Sequence, residues 1–200
     1  MKSSKNKAIS ILSQSDNILY YNNFLSTVEA QVLYQKLLHN LDWQQYPIRM
    51  FGKTIWQPRL IAWYGDKGIQ YTYSQTTLTA EGWDNDLKQL REKLQHELQL
   101  NFNSVLANLY RDGQDSMGWH SDDEKELGTQ PTIASISLGT ARKFQLRQKE
   151  DHKIKTTVLL EPGSLLLMQG DSQHKWQHQI AKTKRITTPR INLTFRKIQP

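Results

Sequence analysis

The stretch Arg190-Ile191-Asn192-Leu193-Thr194-Phe195-Arg196 near the C-terminus carries most of the information about the fold. Its residues alternate strictly, with Ile, Leu and Phe on one face and Arg, Asn, Thr and Arg on the other, which is typical of a β-strand that buries its apolar face. Two arginines on one inward face are costly to bury unless they meet an anion, and a guanidinium binds a carboxylate through two parallel hydrogen bonds. We therefore predict a site for a dicarboxylate here; the alternative is a strand whose polar face contacts solvent.

Further short strand-like runs, separated by turns, precede this stretch. They are Ser104–Tyr110, Thr132–Leu138, Lys143–Arg147, Thr156–Leu160 and Ser164–Met168, and the last strand is predicted to continue to Lys197. Two amphipathic helices are predicted before them, one beginning with a capping box at Ser26 and Glu29 and one capped by Asp84. Many short strands after two helices favour an α+β, mainly β fold, in which the helices pack against one side of a barrel or jelly roll.

The composition limits the possible classes of protein. The chain has 200 residues, which favours a single domain, and it has no cysteine, which excludes disulfides and thiolate metal sites. Its apolar runs are far shorter than the ~18 residues that a membrane span needs. We predict a loosely ordered polar tail over residues 1–17 and one domain over residues 18–200.

Charge is distributed unevenly along the chain. Residues 1–141 hold 13 basic and 15 acidic side chains, whereas residues 142–200 hold 13 basic and only 4 acidic ones. A basic excess of this kind can attract a polyanion to one face of a fold. The equally good alternative is a solvated surface that keeps the protein soluble.

A candidate metal site begins in Trp119-His120-Ser121-Asp122. On an extended segment His120 and Asp122 point to the same side, so both can reach one ion, and a later histidine would complete the 2-His-1-carboxylate triad of Fe(II) oxygenases. By itself, His-x-Asp is more often a hydrogen-bonded surface pair. The later histidine is His174 or His178, and spacing does not decide, because residues four apart share a face of both a helix and a strand.

Taken together, the ordered motifs resemble the AlkB family of Fe(II)- and 2-oxoglutarate-dependent nucleic-acid dealkylases, most closely the branch that repairs duplex DNA. The matching stretches are Phe51-Gly52-Lys53, Pro58-Arg59, Tyr64-Gly65-Asp66, Tyr71-Thr72-Tyr73-Ser74, Asn108 to Gly113, Trp119 to Glu124, and Arg190 to Arg196. The resemblance implies a double-stranded β-helix, or jelly roll, over residues 103–200, with helices and nucleotide-recognition hairpins over residues 18–102.

The resemblance also implies the cofactors and their ligands. His120 and Asp122 correspond to iron ligands, and His178 is selected as the third because the family places that ligand just before a lysine-containing loop. His174 would then be a neighbour of the site or a surface residue. The residues that correspond to the 2-oxoglutarate contacts are Asn108, Tyr110, Arg190, Asn192, Thr194 and Arg196.

The substrate contacts implied by the resemblance lie mostly in the first half of the chain. Tyr73 would stack on an extruded base opposite His120, with Tyr71 as a pocket wall, and Asp123 and Glu124 would face the base edge. A carboxylate there favours a positively charged N-methylated base. An apolar wedge for duplex DNA would be formed by Met50, Phe51 and Gly52, followed by Lys53. Phosphates could be held by Arg59, Arg142, Lys143, Arg147 and Lys149.

The function implied is oxidative dealkylation of DNA bases of the 1-methyladenine and 3-methylcytosine type, with release of formaldehyde, succinate and CO2. The expected partner is alkylated DNA, double- or single-stranded, or RNA, and we expect a monomer without membrane contact, in the cytoplasm or in a eukaryotic nucleus. One alternative is the same chemistry on RNA or on a protein side chain. Another is an inactive nucleic-acid-binding module, against which the intact His120, Asp122, Arg190 and Arg196 argue.

Overall fold

The computed structural model of the protein describes residues 8–12, 17–50, 52–73 and 76–199. Phe51, a predicted wedge residue, and Ser74 lie outside these ranges. For Met50 and Tyr73 the structure describes the backbone only, so the predicted roles of these side chains stay predictions.

Two long helices form where the capping residues predict them. Helix α1 spans Thr27–Asn40 and helix α2 spans Asn85–Leu98. At α1 the Ser26 hydroxyl accepts from the Glu29 amide at 3.2 Å while the Ser26 amide donates to the Glu29 carboxylate at 2.8 Å, which is a complete capping box. No helix in the described ranges is long and apolar enough to cross a membrane.

The remaining chain is mostly β-structure, with a short helix α3 (Ser172–Lys175) and a 3-10 turn at Lys125–Leu127. The strands are β1 Ile9–Ser10, β2 Ile18–Tyr21, β3 Pro47–Met50, β4 Lys53–Trp56, β5 Leu60–Gly65, β6 Gln70–Tyr73, β7 Thr76–Thr79, β8 Ser104–Tyr110, β9 Met117–His120, β10 Ile133–Gly139, β11 Arg142–Gln148, β12 Lys155–Leu160, β13 Leu165–Met168, β14 Trp176–Ile180 and β15 Arg190–Arg196.

The strands form two antiparallel sheets of a jelly roll, as predicted. The large sheet has the order β1-β2-β13-β10-β15-β8-β5 and the small sheet the order β12-β11-β14-β9. Two separate hairpins, β3–β4 and β6–β7, precede β8 in the chain. Within the predicted tail, Ile9 pairs with Tyr20 at the edge of the large sheet, so the described part of that tail is attached to the fold.

Strand β15 shows how the fold separates a core from a pocket. Its apolar residues pack with α1 and α2 in one hydrophobic cluster, which includes Leu37, Leu94 and Phe195. A second cluster, which includes Leu146 and Trp176, lies where the small sheet covers the large one. All seven residues of β15 are buried, including the polar ones. The alternative of a solvent-exposed polar face is therefore wrong, and the polar face borders a pocket between the sheets.

Candidate active site

The two histidines and the carboxylate of the predicted triad meet on the small sheet, in the wall of the pocket. His120 ends β9 and pairs directly with His178 on the neighbouring β14, while Asp122 follows two residues after His120. One ligand atom from each of the three side chains lies within 4.8 Å of the others. A histidine–histidine–carboxylate set without sulfur suits Fe(II), so the residues present fit the metal that the sequence predicts.

Hydrogen bonds orient the first two ligands. The Nδ1 atom of His120 lies 2.8 Å from the carbonyl oxygen of Gly118. A carbonyl oxygen only accepts, so Nδ1 donates this hydrogen bond and Nε2 is left as the candidate ligand atom, the arrangement usual for metal-ligating histidines. The amide of Asp122 donates to the side chain of Gln173 at 2.9 Å, and Gln173 is almost fully buried on α3. Sequence reasoning missed Gln173, since nothing in its local pattern links it to Asp122, 51 residues away.

The surrounding charges hold the ligands in the forms that bind metal. Burial alone would raise the pKa of Asp122, but the charges of Arg196, His178 and His120 outweigh it and lower that pKa to about 2. Arg196 donates to Oδ1 of Asp122 at 2.7 Å, and both side chains are at most 6% exposed. Burial, aided by His120, lowers the pKa of His178 to about 3. At neutral pH the site thus offers a carboxylate and a neutral imidazole.

Arg190 lines the same pocket, and not all of its hydrogen-bond donors have a partner in the described residues. Its Nη2 donates to Ser137 at 2.9 Å and to Asn192 at 2.7 Å. Its Nε and Nη1 are buried and have no acceptor within the described part of the chain. Burial lowers the pKa of Arg190 to about 10, and the Tyr110 hydroxyl partly opposes this shift although it makes no well-aligned hydrogen bond. Each unsatisfied donor costs about 1–3 kcal/mol, which an anionic oxygen would recover.

All six residues predicted to contact 2-oxoglutarate border one pocket of about 310 Å³. Hydrogen bonds link three of them, because Asn192 accepts from Arg190 at 2.7 Å and donates to Thr194 at 2.8 Å. Asn108 accepts from Arg59 of the same pocket wall at 2.7 Å. The triad borders the same pocket. The structure therefore combines a candidate metal centre with a buried anion site.

Two of the predicted base contacts also line this pocket. The Tyr71 hydroxyl donates to Oε1 of Glu124 at 2.8 Å, and burial raises the pKa of Tyr71 well above its usual value. The other carboxylate oxygen, Oε2, is buried and has no donor within the described residues. Behind Tyr71, the ring of Trp63 stacks at a centroid distance of 4.9 Å. Sequence reasoning gave Trp63 no role.

Other predicted contacts lie elsewhere. Asp123 is exposed and forms an ion pair with Lys149 at 3.0 Å, outside the pocket. Arg59 is 3% exposed and forms part of the pocket wall, so it does not present a phosphate-binding group to solvent. Lys53 and Gly52 are exposed at the start of β4.

Arg142, predicted to hold a phosphate, has a different role. It is 1% exposed and donates to the carbonyl oxygens of Asp112, Asp115 and Ala181. A buried guanidinium with three carbonyl acceptors cannot reach DNA, so that prediction is wrong. Arg147 lies over the Trp119 ring at 4.2 Å and donates to Gln177.

Comparisons with known proteins agree with this geometry. A family model described as the 2OG-Fe(II) oxygenase superfamily matches residues 17–196. The chain is 37% identical over 192 residues to the Homo sapiens alpha-ketoglutarate-dependent dioxygenase alkB homolog 3, covering 92% of this chain and 66% of that protein. It is also 37% identical over 190 residues to the Mus musculus DNA oxidative demethylase ALKBH2, covering 90% and 80%.

The structural comparison supports the fold alone. The structure of OsALKBH1 superposes with a TM-score of 0.69 at 16% sequence identity, covering 96% of this chain and all of that one. The chain spans about two thirds of the length of the alkB homolog 3 relatives, 64% to 66%.

The family match, with which the fold and the triad agree, shows that the chain belongs to the 2OG-Fe(II) oxygenase superfamily. More particularly, the chain belongs to the AlkB family of this superfamily.

Proposed function

We propose that this protein repairs N-alkylated DNA bases, of the 1-methyladenine and 3-methylcytosine type, by oxidative dealkylation. The reaction would consume O2 and 2-oxoglutarate and release formaldehyde, succinate and CO2. The observation that supports it best is the pocket itself, which places the triad, the unsatisfied donors of Arg190 and the carboxylate of Glu124 around one cavity.

The triad would hold the iron. His120, Asp122 and His178 would supply two imidazole nitrogens and a carboxylate oxygen, and the lowered pKa values of Asp122 and His178 keep these two in their metal-binding forms. Bound Fe(II) with 2-oxoglutarate supplies the activation of O2 and the oxidising power. Arg196 keeps Asp122 ionised through its 2.7 Å contact, and Gln173 fixes the main chain at Asp122.

Arg190 is the best-placed residue for a carboxylate of 2-oxoglutarate. Arg196 already donates to Asp122 and to the Tyr71 hydroxyl, whereas Arg190 keeps two buried N–H-bearing nitrogens without acceptors in the described residues. A carboxylate can accept from both through the fork geometry of a guanidinium. Binding would remove the desolvation penalty that these donors carry in the free protein.

Recognition of the base would depend on Tyr71 and Glu124. The unpaired Oε2 of Glu124 can accept a hydrogen bond from a base and attracts the positive charge that N-methylation places on adenine or cytosine. Tyr71 holds Glu124 in place through the hydroxyl. Two further contacts in this proposal rest on the resemblance. Tyr73 would stack on the base. The wedge would be formed by Met50 and Phe51, next to Gly52 and Lys53.

The proposal also covers the substrate, the oligomeric state and the location of the protein. The substrate would be alkylated DNA, double- or single-stranded, with RNA as a further candidate, and the protein would act as a monomer. We place the protein where DNA is, in the cytoplasm of a bacterium or the nucleus of a eukaryote. The relatives named DNA oxidative demethylase support DNA as the substrate.

Formaldehyde release from defined oligonucleotides tests the proposal. Purified protein with Fe(II) and 2-oxoglutarate should release formaldehyde from DNA that carries 1-methyladenine, both as a single strand and as a duplex. The same sequences without the methyl group, and the methylated RNA, serve as matched comparisons. Release from RNA alone would favour the RNA alternative, and no release from any oligonucleotide would exclude base dealkylation.

A further inference from the structure

A second concave site lies at the free edge of β5 and is also lined by residues of β7. We name it the edge groove; it has a volume of about 460 Å³, within the range of ligand-binding pockets, and shares no residue with the catalytic pocket. Its aromatic walls are Tyr46, Trp63, Tyr64 and Trp83, and its rim carries Asp42 and Glu81.

The main chain of β5 is unpaired inside the edge groove. Ile61 exchanges two hydrogen bonds of 2.8 Å with Gln44, and the amide of Gly65 donates to Gly82 at 3.3 Å. Residues two apart on a strand direct their main-chain groups to the same edge. The N–H and C=O of Trp63 therefore point to this edge, between the contacts of Ile61 and Gly65. These two groups have no partner in the described ranges. The gap admits one residue of an extended peptide.

The rim is acidic although the whole chain carries a net charge of +7. Asp42 and Glu81 are both exposed, and neither is ion-paired within the described part of the chain. Asp42 accepts only from the neutral side chain of Gln44, so its charge is not compensated. The guanidinium of Arg91, which lies 4.7 Å from the centre of the Trp83 ring, is paired with Asp66 at 2.9 Å.

We propose that the edge groove binds an arginine- or lysine-bearing peptide segment of a partner protein. One residue of the peptide would pair with the N–H and C=O of Trp63, and its cationic side chain would lie between the aromatic walls and the carboxylates of Asp42 and Glu81. The acidic rim excludes a phosphate backbone on electrostatic grounds. This proposal does not depend on the reaction at the iron site, although Trp63 also stacks on Tyr71 in the catalytic pocket wall.

An NMR titration of the intact protein tests the groove directly. The probe is the blocked tripeptide acetyl-Gly-Arg-Gly-amide, and its matched controls carry glutamine instead of arginine or an N-methyl group on the arginine amide. We expect saturable shifts of the main-chain amides of Trp63 and Gly82, with a Kd of about 1–10 mM. Both control peptides should bind at least about fivefold more weakly, because one lacks the charge and the other lacks the donor for the Trp63 carbonyl.

Variants of the rim complete the experiment. The double variant Asp42→Asn/Glu81→Gln should weaken the arginine peptide about fivefold, since two exposed carboxylates are neutralised. Glu92→Gln removes an exposed carboxylate of α2 outside the groove and should leave the Kd unchanged. Absence of saturable shifts at Trp63, or equal binding by the double variant and wild type, would overturn the proposal.

Discussion

His174 and His178 lie four residues apart but have different environments. His178 is 5% exposed beside His120, whereas His174 is exposed on α3 and contacts the carbonyl oxygen of Thr129. The difference arises because the chain changes from helix to strand at Trp176, so the two side chains no longer share a face. Spacing alone assumes one regular element and therefore could not choose between them.

The burial of His178 beside His120 predicts that His178, and not His174, is needed for metal binding. His178→Ala should abolish 2-oxoglutarate turnover and weaken Fe(II) binding, because the remaining His120 and Asp122 leave the ion under-coordinated. His174→Ala is the matched control and should keep both properties near the wild-type level. Succinate formation and calorimetric titration with Fe(II) are the measurements. An active His178→Ala together with an inactive His174→Ala would show that the triad is assigned incorrectly.

The neighbouring acidic residues Asp123 and Glu124 offer a second pair for comparison. Glu124→Gln should lower kcat/KM on DNA containing 1-methyladenine by about 10- to 100-fold, because a buried charged acceptor is lost from the pocket. Asp123→Asn should lower it by less than about twofold, because the exposed ion pair with Lys149 contributes little. Comparable losses in the two variants would mean that Asp123 reaches the base after all.

At the scale of elements, local sequence signals located most of the fold. Strand β8 begins and ends at the predicted residues, and the capping box fixes the start of α1. Local signals did not reveal the environments of Arg59 and Arg142. Their burial depends on carbonyl and amide partners 27 to 57 residues away, which a one-dimensional pattern does not contain.

A contact between two loops also depends on residues that are far apart in the sequence. Gly113 donates to the carbonyl oxygen of Ile186 and accepts from the amide of Thr183, which joins the loop after β8 to the loop before β15. A Cβ atom at Gly113 would lie 2.1 Å from the Thr183 carbonyl oxygen and 2.9 Å from that of Ile186. Both are main-chain atoms, so the loops themselves would have to separate.

Substitution of this glycine should therefore destabilise the protein. Gly113→Ala should lower the free energy of unfolding by about 1–3 kcal/mol, the usual cost of overpacking. Gly118→Ala is the control, since a Cβ there meets nothing within 4 Å, and its effect should stay within about 0.5 kcal/mol. Urea denaturation of both variants measures the difference, and equal stabilities would show that the two loops are not held together at Gly113.

At the scale of the molecule, the basic excess of residues 142–200 is only partly available to DNA. Arg142, Arg190 and Arg196 are buried, and Arg147 is engaged with Trp119 and Gln177. The exposed Lys143 on β11 remains able to contact a phosphate. Net charge along the sequence therefore overestimated the cationic surface, because it could not distinguish structural arginines from solvated lysines.

The wedge role that the resemblance implies for Phe51 predicts an effect on the choice between duplex and single-stranded DNA. Phe51→Ala should reduce the ratio of duplex to single-strand repair rates, since only a duplex leaves a gap to fill when a base is extruded. Leu159→Ala, which truncates an exposed apolar side chain on β12, should leave the ratio unchanged. The measurement is formaldehyde release from one methylated sequence in both forms. An unchanged ratio in Phe51→Ala would remove the wedge and make single strands the better substrate.

The stoichiometry of the wild-type reaction shows whether iron, 2-oxoglutarate and a methylated base react together at this site. If the triad holds iron and Arg190 holds 2-oxoglutarate beside a flipped base, methylated DNA should yield formaldehyde and succinate in equal amounts. Both products should disappear when Fe(II) is removed by a chelator or when the DNA lacks the methyl group. Succinate formed without formaldehyde on every methylated oligonucleotide, or formaldehyde formed without Fe(II), would contradict the account.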